Sequence, residues 1–279
     1  TPLPGLGRPV DPFFSPDGNW IGFFNGNLDL RKVSVNGGPP VTLTPLDSAQ
    51  PRGATWAEDG TIVFATNGPT GLQKVSADGG TSVVLTTPNR ERGEADHLWP
   101  EFLPGGHALL FTITQAAGRA DDAQVAVLDL RTGTQKILVR GGTHAQYVQS
   151  GYLVYAAAGT LRAVPFDPDR LQVGTTPPIP VLSQVATMGE GGAEFDVSLS
   201  GTLVYLSAGV QAVPLTLVWA DREGREELIR APARTYLYPR LSPDGTRVAL
   251  DIRDQDSDLW MWHIGRETLT RFTVDPALA

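Results

Sequence analysis

A five-residue segment near the start of the chain, Phe14-Ser15-Pro16-Asp17-Gly18, recurs near its end as Leu241-Ser242-Pro243-Asp244-Gly245. Two weaker copies are Trp56-Ala57-Glu58-Asp59-Gly60 and Phe102-Leu103-Pro104-Gly105-Gly106, and two more end at Gly151 and Gly201. The six closing glycines are separated by 42, 46, 45, 50 and 44 residues, a mean of about 45. Self-similarity at this period is typical of repeat architectures.

Each repeat contains the same pattern of short apolar segments. One segment precedes the glycine, an alternating segment follows it, and two more lie downstream, as in 123–130 and 136–139. The Pro-Asp-Gly and Glu-Asp-Gly turns supply the positive-φ residue that a tight hairpin needs. Four strands in about 45 residues are typical of a propeller blade, whereas a sandwich or a jelly roll would not repeat one turn at this period. The sequence therefore predicts an all-β fold, a six-bladed β-propeller of four-stranded antiparallel blades.

A single propeller domain is expected over residues 1–279, because an isolated blade leaves two apolar faces exposed and a ring of blades buries them. The predicted blades cover about 9–45, 50–87, 97–140, 143–183, 192–230 and 236–273. No spare strand is evident at either end for exchange between the termini. We therefore expect the ring to close through packing of blade 1 against blade 6.

Composition excludes several classes of function. The chain has 22 Lys and Arg against 30 Asp and Glu, a net charge of −8, so it lacks the basic surface that nucleic acids require. It has no cysteine, which rules out a thiol nucleophile, a disulfide framework and Cys-ligated zinc. No run of 18 apolar residues is present, so no membrane insertion is expected. Glycine and proline number 31 and 23, which fits a protein with many turns.

The Ser-Pro-Asp-Gly turns at 15–18 and 242–245, with Leu259-Trp260 and Leu269-Thr270 downstream, resemble TolB-like (WD-type) propeller repeats. The stretches 97–106 (HLWPEFLPGG) and 159–168 (GTLRAVPFDP) also resemble the propeller region that follows the kinase domain of certain bacterial Ser/Thr protein kinases. This second resemblance implies a binding or sensor module and an extracytoplasmic location; without it, a cytoplasmic location is expected. The kinase motifs themselves are absent from this sequence, so kinase activity is not implied.

The first strand of each blade lines the channel of a propeller, and counting back from the turn glycine aligns these strands. Strand periodicity predicts that positions −4 and −6 share a packing face and that positions −5 and −7 face the channel. Position −4 holds Phe14, Trp56, Phe102, Tyr147, Val197 and Leu241; position −6 holds Pro12, Ala54, Pro100, Ala145, Phe195 and Pro239. Position −5 holds Phe13, Thr55, Glu101, Gln146, Asp196 and Arg240; position −7 holds Asp11, Gly53, Trp99, His144, Glu194 and Tyr238.

The polar members of positions −5 and −7 are the candidate site. Glu101, Gln146 and Asp196 form an oxygen-rich arc suited to Ca²⁺. Asp11, His144 and Glu194, with His97 nearby, would suit Zn²⁺ or another transition metal. His97 and His144 are candidate catalytic bases. Candidate ligand-binding residues are Arg52, Trp99, Tyr238 and Arg240. The alternative is a solvated channel in which Glu101 and Asp196 pair with Arg240 or Arg52.

Two functions remain open. The first is a sensor or scaffold module that binds a small molecule, a protein or a peptide at the channel mouth. The second is a metal-assisted hydrolase of esters, lactones or phosphotriesters. This hypothesis rests only on the analogy in fold with six-bladed hydrolases.

Overall fold

The computed structural model describes residues 3–4, 6–26, 28–47, 50–68, 70–116, 122–188, 191–198, 201–207, 216–221, 225–232, 234–253 and 257–274. Six antiparallel sheets, each built on four successive strands, form a ring and confirm the predicted six-bladed propeller. Within these residues the helices are two short 3-10 turns, Arg90–Arg92 and Ile264–Arg266. Neither is long and apolar enough to cross a membrane.

The strands follow the chain order from blade to blade. Strand β1 (Leu3–Pro4) is followed by blade 1, with β2 (Pro9–Phe14), β3 (Trp20–Asn25), β4 (Asp29–Ser34) and β5 (Val41–Pro45). Blade 2 has β6 (Pro51–Trp56), β7 (Thr61–Thr66), β8 (Leu72–Ser76) and β9 (Val83–Val84). Blade 3 has β10 (Glu94–Phe102), β11 (Ala108–Gln115), β12 (Gln124–Asp129) and β13 (Thr134–Arg140).

Blade 4 has β14 (Thr143–Val148), β15 (Tyr152–Ala157), β16 (Thr160–Asp167), a short added strand β17 (Gln172–Val173) and β18 (Ile179–Leu182). Blade 5 has β19 (Phe195–Val197), β20 (Leu203–Leu206), β21 (Leu217–Ala220) and β22 (Glu226–Leu228). Blade 6 has β23 (Tyr236–Leu241), β24 (Arg247–Arg253), β25 (Ser257–His263) and β26 (Thr268–Arg271), after which comes β27 (Thr273–Val274). The first strands of successive blades contact one another around the ring, so they surround the central channel.

The repeated turn has the conformation that its sequence predicts. All six turn glycines have positive φ, from 65° at Gly245 to 85° at Gly151 and Gly201. In the first copy the Ser15 hydroxyl donates to Asp17 and accepts the N–H of Trp20 at 2.9 Å. The last copy repeats this pattern with its own Ser and Asp. These side chains satisfy backbone and hydroxyl groups of a hairpin that recurs in every blade.

Six hydrophobic clusters of described residues hold the ring together, and each combines residues of two neighbouring blades. The cluster between blades 1 and 2, for example, joins Phe24 and Leu30 to Ile62 and Phe64. The apolar faces of each blade are fully buried only when the neighbouring blade packs against them, as expected of a repeat fold.

The ring closes in two ways. Phe23 and Val33 of blade 1 pack against Ala249 and Met261 of blade 6, as expected. In addition, β1 pairs in parallel with β27, which corrects our expectation that no strand is available at the ends. A two-residue strand with proline at its second position has no recognisable alternating pattern, so the sequence did not predict it.

Candidate functional site

A β-bulge interrupts the first strand of five blades at the same place. The pairing register shifts between positions −8 and −5 in β2, β10, β14 and β23, and between positions −9 and −6 in β6. In each case the residue at position −7 has positive φ; these residues are Asp11, Gly53, Trp99, His144 and Tyr238. Four of the five are not glycine, so the backbone here is strained. The bulge breaks the simple alternation and redirects the position −7 side chains towards the neighbouring blade.

Three side chains at position −7 bind the backbone of the next blade. Asp11 Oδ2 accepts the N–H of Gly53 at 2.8 Å, and Glu194 Oε2 accepts the N–H of Tyr238 at 2.5 Å. His144 Nδ1 accepts the N–H of Ala193 at 3.0 Å. We call these three residues the inter-blade tier. Their acceptors satisfy buried donors, including donors close to the bulges, which is a structural role.

Position −5 repeats this arrangement nearer the turn. Thr55 Oγ1 accepts the N–H of Phe102 at 3.3 Å, Gln146 Oε1 that of Val197 at 3.0 Å, and Asp196 Oδ2 that of Leu241 at 2.5 Å. Glu101, at the same position in blade 3, makes no hydrogen bond or ion pair with the residues that the structure describes. Its carboxyl group is therefore available to a ligand.

The two candidate bases are both buried. His144 stacks on Trp99, with ring centroids 5.1 Å apart, and burial lowers the pKa of His144 to about 3. His97 is fully buried; its Nδ1 lies 2.8 Å from Thr86 Oγ1 and its Nε2 lies 3.1 Å from Glu94 Oε2. Burial also lowers the pKa of His97. Both rings thus have partners within the protein, and their assignment as bases stays a prediction that this geometry does not favour.

A buried arginine links the carboxyl groups at the centre of the channel. Arg240 Nη2 lies 3.6 Å from Asp11 Oδ1, and the guanidinium also interacts with Glu101, Glu194 and Asp196. Burial raises the pKa of Glu194 to about 8 and the pKa of Glu101 to about 8, in Glu101 with a further contribution from Asp196. Burial also raises the pKa of Asp196. Glu101 and Glu194 are therefore protonated near neutral pH and can donate hydrogen bonds.

Within the described ranges, no group of three or more His, Asp or Glu side chains is arranged to hold a metal ion. In the arc predicted for Ca²⁺, the Gln146 amide donates to Asp196 at 3.0 Å instead of leaving both oxygens free. The Ca²⁺ and Zn²⁺ sets therefore stay predictions without a matching ligand geometry.

A cavity of about 360 Å³ opens at the end of the channel that carries the repeated turns. We call it the turn-end cavity. Residues of all six blades line it, and its polar lining includes Glu101, Asp196, Arg240 and, near the mouth, Glu58. His97 and Arg52 lie in the opposite half of their strands and are not part of its wall. Among the candidate ligand-binding residues, Arg240 lines this cavity; Trp99 and Tyr238 do not.

Four aromatic side chains at position −4 form much of the cavity wall: Phe14, Trp56, Phe102 and Tyr147. Each is half-buried, so the prediction that position −4 is a packing face holds for only one side of each ring. The other side faces the channel, because this position lies at the end of the innermost strand, or one residue before it in blade 4, and no further strand covers it. The sequence contained a signal for this aromatic wall, because four consecutive blades carry a large aromatic residue at position −4.

The bulge also had a signal in the sequence. Position −6 is proline in blades 1, 3 and 6, in the middle of a strand, and the proline residues are Pro12, Pro100 and Pro239. Proline is confined to edges, strand starts and bulges, because it cannot donate to the ladder. A bulge at this position was therefore predictable, although its effect on the direction of the neighbouring side chains was not.

Comparisons with known proteins place the fold in a broad structural class. No protein-family model matches the chain, and no curated protein sequence matches it. TolB from Acinetobacter baumannii is 16% identical, with a TM-score of 0.66, over 95% of this chain and 63% of its own. The calcium-binding protein regucalcin from Agrobacterium tumefaciens is 15% identical, with a TM-score of 0.64, over 90% of this chain and 83% of its own.

A putative gluconolactonase is 12% identical, with a TM-score of 0.66, over 97% of this chain and 92% of its own. At these identities the likeness concerns the fold alone. The chain is thus a six-bladed β-propeller, similar in structure to TolB proteins and to propellers named for calcium binding or for lactonase chemistry.

Proposed function

We propose that this propeller is a binding module whose small-molecule ligand occupies the turn-end cavity. The proposal rests on a difference in hydrogen bonding between the inter-blade tier and Glu101. The inter-blade tier is committed to backbone hydrogen bonds, whereas Glu101 makes no bond to the described residues and lines an open cavity. A volume of about 360 Å³ is typical of a small-molecule site, as is a wall of aromatic rings with a few convergent polar groups.

The alternative function, a metal-assisted hydrolase, has less support. Its candidate bases are buried and hydrogen-bonded within the protein, and its candidate ligands do not form a metal-binding group among the described residues. The similarity to a putative gluconolactonase concerns the fold alone and not the residues of a site. An origin beside a kinase domain and an extracytoplasmic location also stay predictions, since neither is tested by these similarities.

A cavity-filling variant tests the proposal. Val197 lies at position −4 in blade 5 and lines the cavity, and blade 2 carries tryptophan at the same position. Val197→Trp should therefore be tolerated in the strand while it fills the cavity. We expect fragments detected by saturation-transfer NMR on the wild-type protein to be lost in this variant.

The matched control is Val83→Trp, at an exposed position on β9 that is 55% accessible. Its fragment binding should equal that of the wild type. Fragments that bind Val197→Trp as well as they bind the wild type, or a library without hits on the wild type, would overturn the proposal.

A further inference from the structure

The turn-end cavity combines aromatic faces with an excess of carboxyl groups. Phe14, Trp56, Phe102 and Tyr147 come from four consecutive blades and occupy the same strand position, so the rings surround one space. Two of them are held in place by edge contacts to other rings, Trp56 to Phe13 at 6.2 Å and Tyr147 to Phe166 at 6.0 Å. Aromatic faces carry negative charge density and attract organic cations. Two of these rings already have a cation of the protein nearby, Lys32 at 5.9 Å from the Trp56 ring and Arg247 at 5.8 Å from the Phe14 ring.

The charged groups at the floor favour the same kind of ligand. The cavity lining holds three acidic side chains, Glu58, Glu101 and Asp196, and one basic side chain, Arg240. Arg240 is already paired with Asp11, which lies outside the cavity wall, and it also interacts with Glu194. Glu101 and Glu194 are protonated near neutral pH, but the carboxylates of Asp11 and Asp196 outnumber the single guanidinium of Arg240. Glu58 adds a further negative charge, so the excess at the cavity is negative.

We propose that the turn-end cavity binds a small organic ammonium ion, with its positive charge against Glu101 and its apolar part among the four aromatic rings. The inference rests on the proposed binding function and names the class of ligand. Glu101 is the residue that distinguishes this ligand, because its counterparts Thr55, Gln146 and Asp196 are occupied by backbone N–H groups of the next blade.

Ligand binding should release a proton. The charged groups that face Glu101 are Asp196 and Arg240. Glu58 lies nearer the mouth, and Asp11 and Glu194 interact with Arg240. Glu101 is protonated near neutral pH, because burial and the neighbouring Asp196 raise its pKa to about 8. A cation placed beside Glu101 favours the carboxylate, so the proton leaves to solvent as the cation binds.

Three probes of one size test the inference by calorimetric titration: benzyltrimethylammonium, benzyl alcohol and benzoate. We expect the permanent cation to bind the wild type about tenfold more tightly than the neutral alcohol, and benzoate to bind weakest. Above about pH 8, where Glu101 is ionised without a ligand, Glu101→Gln should lower the affinity for the cation by about tenfold while the affinity for benzyl alcohol is unchanged. The cation affinity of the wild type should rise between about pH 6 and about pH 8, and that of Glu101→Gln should stay flat.

Titrations in buffers of different ionisation enthalpy should record the release of up to about one proton per cation by the wild type and none by Glu101→Gln. The control is Glu58→Gln, which removes a charge at the solvent-exposed mouth and should change the cation affinity by less than about threefold.

Equal affinity for the cation and the alcohol, or a preference for benzoate, would overturn the inference. The binding function would survive that result if Val197→Trp abolishes binding of the alcohol. Cation binding that Glu101→Gln leaves unchanged, or binding of none of the three probes, would also overturn the inference, and the fragment screen would then decide the proposed function separately.

Discussion

The middle and the turn end of the first strands differ in what their side chains surround, although acceptors in both places bind the next blade. In the middle, at position −7, most side chains are buried, the backbone is strained at the five bulges, and acceptors such as Asp11 and Glu194 bind the next blade. At the turn end, aromatic rings and Glu101 surround a cavity. The comparison teaches that a polar group near a propeller axis is not by itself a sign of chemistry. What distinguishes a ligand site is a polar group that faces an open cavity and makes no hydrogen bond to the described residues, as is the case for Glu101.

The largest expected effect is the loss of a residue in the inter-blade tier. Asp11→Ala removes the acceptor of the Gly53 N–H and the carboxylate beside Arg240, so it leaves a buried donor unsatisfied and deprives the buried guanidinium of one of its counter-charges. We expect the free energy of unfolding to fall by about 3–5 kcal/mol in urea denaturation.

The matched control is Asp59→Ala, whose carboxylate accepts the N–H of Thr61 in an exposed turn. It should cost about 1 kcal/mol or less. Equal effects of the two substitutions would remove the distinction between the buried tier and the surface.

The next effect concerns the strained backbone. Gly53 has φ of 92°, and a Cβ there would lie 3.2 Å from the Cα of Trp99, whereas Gly151 has φ of 85° and open space around it. Gly53→Ala and Gly151→Ala share the cost of a left-handed alanine, about 1–2 kcal/mol. We expect Gly53→Ala to cost about 1–3 kcal/mol more, because overpacking is added. A thermal unfolding series should separate the two variants, and coincident curves would argue against tight packing at the bulge.

The third effect is a dependence on pH. The ordinary pKa of a glutamate is 4.5, and burial raises the pKa of Glu194 to about 8 in the folded protein. The protonated form therefore contributes stability that is complete below about 4.5 and is lost as the pH rises towards about 8. Glu194→Gln keeps an acceptor for the N–H of Tyr238 and cannot ionise.

Urea midpoints should show that Glu194→Gln is as stable as the wild type near pH 4.5. Above about pH 8 the variant should be more stable than the wild type. The lowered pKa values of His97 and His144 make both proteins less stable as the pH falls below 6.5. Because this effect is the same in the wild type and the variant, it cancels in the difference between their midpoints. A difference in midpoint that does not change with pH would contradict the assignment of a protonated Glu194.

The smallest expected effect lies at the turn end. Glu101 makes no bond to the described residues and is already neutral below its pKa of about 8. Glu101→Gln should therefore change the free energy of unfolding by less than about 0.5 kcal/mol in mildly acidic solution. A loss comparable to that of Asp11→Ala would mean that Glu101 also serves the fold.

The repeat determined most of what the sequence could predict. The turn glycines give the number of blades, and alternation gives the strands, because hairpin geometry and burial are local properties. Which polar residues are free was not predictable, since that depends on the bulge and on hydrogen bonds to residues more than 40 positions away, such as Asp11 to Gly53. The aromatic residues at position −4 were assigned to packing for the same reason: periodicity specifies a face but not where the strand becomes uncovered.

Two tryptophans report on the two regions at once, and their response is the most direct test of the account. Trp56 lines the turn-end cavity, and Trp99 is buried against His144 next to the inter-blade tier. With 5-fluorotryptophan in the protein and single Trp→Phe variants for assignment, benzyltrimethylammonium should shift the ¹⁹F resonance of Trp56 and leave that of Trp99 in place. A shift at Trp99 without one at Trp56 would place the ligand in the wrong half of the channel and contradict the account.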